Sequence, residues 1–327
     1  MKKVLITGAT GFLGKYTVKE FSRHGYTVLA TGRNKQNLAK LENKNVRTIT
    51  CSLEKLPKLN QRVDIVVHVA ALSTIWGSWH DFYENNVVGT ENVIDFCVRN
   101  KVKRLIFISS PSVYSGQGDR LKIMESDYDP ENNLNYYIKS KLLAEKLVRK
   151  ANTKTLQTVI IRPRGLIGVG DTSIVPRLIK ANDSFGLPLF NDGHNLVDMT
   201  CVENVAYAVR LAAETKSASG QTYNISNGEP RQFRAIVEKL FLELGRQPHY
   251  KRPNLKTMYL LASLMERVYK LLHIYREPPL TRYTVCTLGY SQTLDISKAK
   301  RELGYSPILS LNEGIKKYAA AYKTACS

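Results

Sequence analysis

Residues 7–14 read "TGATGFLG", and this stretch decides the fold. It follows a short apolar run, "KVLIT" (3–7), and opens a segment in which Phe12, Leu13, Tyr16 and Phe21 recur at helical spacing. Strand, glycine turn and helix in that order make a cradle for a dinucleotide. Gly8 permits the tight turn. Gly11 lets the backbone approach a pyrophosphate resting on the helix N-terminus, and Gly14 allows close helix–strand packing. The glycine spacing is GxxGxxG rather than GxGxxG. The same glycines argue against reading the first residues as a signal peptide, and no small-residue cleavage site follows, so a cytoplasmic location is expected.

Outward from the cradle the chain alternates. "YTVLAT" (26–31), "VRTIT" (46–50), "DIVVHVAA" (64–71), "RLIFISS" (104–110) and "QTVIIRP" (157–163) read as further strands, with helices expected over 12–24, 81–99 and 134–151. Apolar, β-branched strands separated by helices predict an α/β fold, a doubly wound parallel sheet covered on both faces. After residue 164 the regularity decays. Helices are expected near 174–183, 203–215, 231–244 and 255–272, and "QTYNIS" (221–226) returns a strand to the first sheet. This divides the chain into a nucleotide-binding domain over 1–165 and a smaller, mostly helical substrate domain over 166–327.

Composition narrows the function. The chain has 327 residues and a net charge of +20, but its basic residues are dispersed, with no nucleic-acid motif and no basic arm. No nucleic-acid partner is expected; an anionic cofactor or substrate is. Five scattered cysteines (Cys51, Cys97, Cys201, Cys286 and Cys326) lack metal or disulfide spacing, so buried free thiols and no metal are expected. The helix "LKTMYLLASLMERVYKLL" (255–272) is apolar over most of its surface. It reads first as a pocket-lining or core-packing helix and second as one lying on a membrane surface.

Three further stretches carry chemistry. Arg33, in "ATGRN" (30–34), stands where an acidic residue would accept hydrogen bonds from an adenosine ribose. A guanidinium there suits a 2′-phosphate, with Lys35 close by, so NADP is favoured over NAD. In "YYIKSK" (136–141), Tyr137 and Lys141 lie at i and i+4 on one helix face. A nearby ammonium is expected to lower the tyrosine pKa and fit it for proton transfer. "ISSPSVYSG" (108–116) ends a strand at the sheet's carboxyl edge and offers Ser110, with Ser109 and Ser112 as neighbours, to hold a substrate oxygen.

These motifs fall in one order, and across essentially its whole length the chain resembles an extended short-chain dehydrogenase/reductase. "TGATGFLG", "HVAAL" (68–72), "NNVVGT" (85–90), "ISSPSVY", "YYIKSK" and "RPRGLIG" (162–168) carry the resemblance. It implies a Rossmann-type domain, with Ser110, Tyr137 and Lys141 catalytic. It also implies a cofactor bordered by Gly8, Thr10, Gly11, Phe12, Leu13, Gly14, Arg33, Ser52, Leu53, Ala70, Ala71, Leu72, Asn86, Ser109, Tyr137, Lys141, Pro163 and Leu166. Ser52-Leu53 departs from the family's Asp-Leu pair near the adenine. "GSW" (77–79), "RPRGLIGVGDTSIVPRL" (162–178), "NISNGEP" (224–230) and "REPPLTRYT" (276–284) are similar to the 3β-hydroxysteroid dehydrogenase-like branch and its 2-alkyl-3-oxoalkanoate reductases. The expected activity is NADP(H)-dependent interconversion of a secondary alcohol and a ketone on a lipophilic, 3-oxo acyl or 3-ketosteroid-like substrate. A homodimer through the two long helices is implied as well. The alternatives are a sugar-nucleotide epimerase or dehydratase, with Arg164 and Arg177 as candidate phosphate ligands, and a non-catalytic NADP(H)-binding sensor or scaffold.

Overall fold

The computed structural model describes residues 1–326, and of Cys326 the backbone alone. Seven strands form the central sheet: β1 (Lys3–Thr7), β2 (Thr27–Gly32), β3 (Val46–Thr50), β4 (Ile65–His68), β5 (Arg104–Ile108), β6 (Gln157–Pro163) and β7 (Thr222–Ile225). Their order is β7-β6-β5-β4-β1-β2-β3, and every pair is parallel. The chain winds outward from β1 through β2 and β3, then crosses to β4 on the other side. The switch point lies between β1 and β4, where open α/β sheets hold ligands at their carboxyl ends.

Burial follows from the two-residue period of a strand. Val4, Ile6, Ile65, Val67, Ile106 and Ile108 point to one face and join a core with helix α1 (Phe12–Arg23) and the helix Val202–Glu214. Leu5, Val66 and Leu105 point to the other and pack on Val93 and Phe96 of α2 (Gly89–Arg99). Both faces are covered, so these strands carry no polar alternation. Over the same face as α2 runs α3 (Tyr136–Lys150), whose Ala144 and Val148 meet Phe107 and Ile160.

The expected helix 81–99 is a short α-turn (Trp79–Phe82), a π-helical stretch (Tyr83–Val88) and then α2. Such wide turns redirect side chains and recur at functional sites.

Beyond β6 the helices Ile174–Ser184 and Phe233–Leu244 form a second core with Leu311, Ile315 and Tyr318. Helices α4 (Leu255–Leu271) and α5 (Arg282–Gly289) pack together through Ala262 and Val285. A four-stranded sheet of Arg231–Gln232, Leu196–Val197, Gln292–Leu294 and Arg120–Ile123 draws on both halves of the chain; the sequence reading expects no strand at any of these and starts a helix at residue 231. Strands of two to four residues are too short to leave an alternating pattern. Cys97, Cys201 and Cys286 are buried, as expected. Cys51 is not: it is half-buried where the chain leaves the edge strand β3. The thiol of Cys326 lies outside the described residues.

Candidate active site

The glycine turn is built by close approach. Gly8 has φ +64°, and a Cβ there would stand 2.7 Å from the Ala70 backbone, so the loop after β1 can touch the loop after β4 only without a side chain. A Cβ on Gly14 would meet the Gly8 carbonyl at 2.0 Å, so α1 starts directly against the turn. Gly11 N–H donates to the Gly8 carbonyl at 3.0 Å and caps α1 without a side-chain acceptor, leaving the first N–H groups of α1 to a ligand. Thr10 approaches Gly32, which brings the turn to the end of β2 and its neighbour Arg33. Arg33 is exposed and makes no ion pair with any described residue. These features fit a dinucleotide.

Asn86, placed by the π-helical stretch, ties the cradle to α3. Its Oδ1 accepts from Leu72 N–H at 2.7 Å, and its Nδ2 donates to the Leu72 carbonyl at 3.0 Å and to Ser140 Oγ at 2.9 Å. Ala70, Ala71 and Leu72 are thereby held beside α3. The remaining expected cofactor residues are spread along the same edge. Ser109 N–H donates to Ile161 O at 2.8 Å, Pro163 ends β6 beside Ile225, and Leu166 pairs with Thr200. Leu53 packs against Gly89, while the Ser52 carbonyl accepts from Lys55 in a local turn.

Asn135 caps α3 by accepting from Ile138 N–H at 2.8 Å, which sets Tyr137 in the first turn. Tyr137 and Ser110 face each other across the edge, near enough for the serine hydroxyl to act on the phenol. Burial pushes the Tyr137 phenol up to about 12; the Ser110 hydroxyl works against this, and Tyr283 adds to it. Ser110 Oγ donates to Ser112 Oγ at 2.9 Å, and Ser112 Oγ shares a 2.7 Å bond with Tyr283 OH of α5. Four hydroxyls therefore line the way from α3 to α5, and Ser110, Ser112 and Tyr283 are hydrogen-bonded in sequence.

The Tyr137 phenol is raised rather than lowered as the sequence reading expects, and the Lys141 ammonium bonds elsewhere. Its Nζ donates to the Ile108 carbonyl at 2.7 Å and lies 4.2 Å from the centroid of the Phe107 ring. The open carbonyl at the end of β5 takes the ammonium, and the groups acting on Tyr137 are its burial, Ser110 and Tyr283. Burial lowers Lys141 to about 7, with Glu145 acting in the opposite sense. Below it His68 is held neutral: burial lowers its pKa to about 3, and Thr7 and Thr90 occupy both ring nitrogens at 2.8 and 3.2 Å.

Two arginines flank Pro163. Arg162 is fully paired: Nε and Nη2 reach Glu145 at 2.8 and 2.6 Å, and Nη1 donates to Tyr114 OH at 2.5 Å and to Glu125 O at 2.9 Å. Arg164 is also buried, 7% exposed, yet its guanidinium has no hydrogen bond or ion pair with any described residue. Burial lowers its pKa, with Tyr283 and Asp198 opposing. Arg177, by contrast, is spent on a bidentate pair with Glu277 at 2.8 and 2.9 Å.

The sequence reading did not single out Tyr283 or His68 as site residues. The stretch 276–284 contains the tyrosine, but nothing in it points to Ser112, 171 positions away. A cavity of about 240 Å³ lies by the start of α3, lined by Trp76, Trp79, Phe82, Tyr136, Tyr269 and Ile274 among others. The Phe82 ring lies 6.3 Å from that of Tyr137.

Residues 4–226 match the NAD dependent epimerase/dehydratase family. The chain is similar to the 2-alkyl-3-oxoalkanoate reductase of Stenotrophomonas maltophilia, 34% identical over 98% of this chain and 99% of that protein. It is similar too to the decarboxylating sterol-4-alpha-carboxylate 3-dehydrogenase of Mus musculus, 30% identical over 98% of this chain and 91% of that protein. Among solved structures, the UDP-glucuronic acid 4-epimerase from Bacillus cereus, in complex with UDP-glucuronic acid and NAD, matches with a TM-score of 0.77, 25% identity and 99% of both chains covered. The protein therefore belongs to the NAD dependent epimerase/dehydratase family, as an NAD(P)-dependent oxidoreductase acting on CH–OH groups.

Proposed function

We propose that the protein interconverts a ketone and a secondary alcohol on a lipophilic 3-oxo carboxylate, with NADP(H) as cofactor and Ser110, Tyr137 and Lys141 at the reacting centre. The observation that carries this reading is the Tyr137–Ser110 pair at the sheet's carboxyl edge, in the first turn of α3 and next to the glycine cradle. Gly8, Thr10–Gly14, Ala70–Leu72 and Asn86 hold or border the dinucleotide, which when bound supplies or takes up the hydride.

The residues' own chemistry follows from their surroundings. With its pKa raised to about 12, Tyr137 keeps its proton at neutral pH and serves as the acid that protonates the substrate oxygen in reduction. Ser110 donates to the same oxygen and steadies its developing negative charge. Lys141 supplies a donor and a titratable charge one helical turn beyond Tyr137, its position fixed by Ile108 and Phe107.

Three observations support the finer assignments. Arg33 is exposed and unpaired at the end of β2, ready for a 2′-phosphate. Arg164 is buried with no ion pair or side-chain hydrogen bond among the described residues, Asp198 acting on it only from a distance, so an anionic substrate group would satisfy it. The cavity near Tyr137 is lined mostly by aromatic and aliphatic side chains, with Asn135, Glu266, Lys270 and His273 among them. The names of the two curated relatives both describe a carboxylate, one on an alkyl chain and one on a sterol. The sugar-nucleotide reading loses one of its two candidate phosphate ligands, because Arg177 is paired with Glu277.

The test is consumption of NADPH, and of NADH in parallel, with 3-oxo acids of several chain lengths and with ketones lacking the carboxylate. NADPH-dependent turnover that Tyr137→Phe abolishes is expected. Redox-neutral conversion of a UDP-sugar, with no ketone reduced, would overturn the reading.

A further inference from the structure

Helix α4 is mounted with its apolar stripe outward. Of its 17 residues only Ala262 and Glu266 are buried. Leu260 is 69% exposed, Leu264 60% and Leu271 78%, and Leu261, Val268 and Leu272 are exposed beside them. At 100° per residue these six fall within one arc of about 120°. The helix is not free to roll this stripe inward. Glu266, on the inner face, accepts from Arg282 N–H at 2.7 Å and from Arg282 Nε at 2.8 Å, and Ala262 packs on Phe190 and Val285.

The rim of the stripe is basic. Lys256, Arg267, Lys270 and Arg276 are exposed, and none makes an ion pair with any described residue. The acidic neighbours are already used: Glu266 is turned inward onto Arg282, and Glu277 pairs with Arg177. Trp76 Nε1 donates to the Ile274 carbonyl at 3.0 Å, and Tyr269 and the exposed Tyr275 lie at the same end. Aromatic residues with one polar end favour the membrane–water boundary.

We infer that α4 and the turn through Tyr275 dock the protein on an anionic bilayer surface. Among the described residues no helix is long and apolar enough to cross a membrane, so α4 would lie in the interfacial plane. A second copy of the chain fits the stripe less well. Symmetric pairing would set two basic rims of a +20 chain against each other, whereas anionic headgroups complement them. Lys270, Ile274 and Tyr275 also line the cavity, so docking would turn its mouth toward the lipid. Delivery of a lipophilic ketone from the bilayer rests on the proposed reaction; the docking itself does not.

Co-sedimentation of the full chain with lipid vesicles tests the inference. At low salt the protein is expected to pellet with vesicles of phosphatidylcholine and phosphatidylglycerol in equal parts, and not with phosphatidylcholine alone. The double variant Leu260→Asp/Leu264→Asp is expected to bind at least ~10-fold more weakly, and Lys256→Glu/Arg267→Glu to lose about fivefold per removed basic charge. NADPH-dependent turnover of a short, water-soluble 3-oxo acid should be unchanged in both variants. Vesicle binding without any ketone turnover would sink the reaction and leave the docking standing. Failure to pellet, pelleting unaffected by the double variant, or a solution dimer that the double variant dissociates would overturn the docking.

Discussion

Two clusters stand either side of Pro163, and they are built on opposite terms. Behind it, Arg162, Glu145, Tyr114 and Arg149 form a closed network. Burial pushes Glu145 up, but Arg162 overrides that and holds it below the usual carboxylate range. In front of it, the edge of the site is open. Tyr137 is raised, Lys141 is lowered and Arg164 is buried without a partner. A buried charge whose partner is lost is strongly destabilising, so the closed cluster holds α3 to the sheet, while the open one gives up stability where a ligand must arrive.

The largest expected effect separates chemistry from stability. Tyr137→Phe should lower kcat about 1,000-fold with unchanged cofactor binding and an unchanged or higher melting temperature. A parallel loss of folding would place Tyr137 with the structural cluster instead. Arg162→Met leaves Glu145 buried with only the part-exposed Arg149 as its partner, and urea unfolding should show a loss of about 3–5 kcal/mol. Arg164→Met in the same assay should be neutral or stabilising; equal losses at the two arginines would erase the distinction between the clusters.

The same Arg164→Met protein should show KM for a 3-oxo carboxylate raised about 10- to 100-fold, the worth of a hydrogen-bonded charge, with little change for a ketone lacking the carboxylate. Arg33→Ala should raise KM for NADPH about tenfold and leave NADH nearly unaffected. A last effect is on pH dependence. Lys141 falls from 10.5 when unfolded to about 7 when folded, so the unfolded chain binds the extra proton between these values. Wild-type stability relative to Lys141→Met should therefore rise as pH increases from about 7 to about 10.5 in denaturant titrations. A difference that stays flat with pH would mean that Lys141 is charged in the fold.

What the sequence determined is local or periodic. The glycine turn is legible because Gly8 and Gly14 answer close approaches within one strand–turn–helix unit. The inner strands of the sheet are legible because burial on both faces demands largely apolar runs. Tyr137 and Lys141 are legible because one helical turn fixes their neighbourhood. The tertiary structure alone decided the rest. Tyr283 reaches Ser112 across 171 residues, and such a contact leaves no pattern in the chain. Nothing in "RPRGLIG" tells the satisfied Arg162 from the unpaired Arg164; that depends on Glu145 and Glu125 arriving at one and not the other. The apolar pattern of 255–272 is the same whether a helix faces a core, a pocket or a bilayer. The Glu266–Arg282 pair fixes its rotation, and through it which surface the leucines meet.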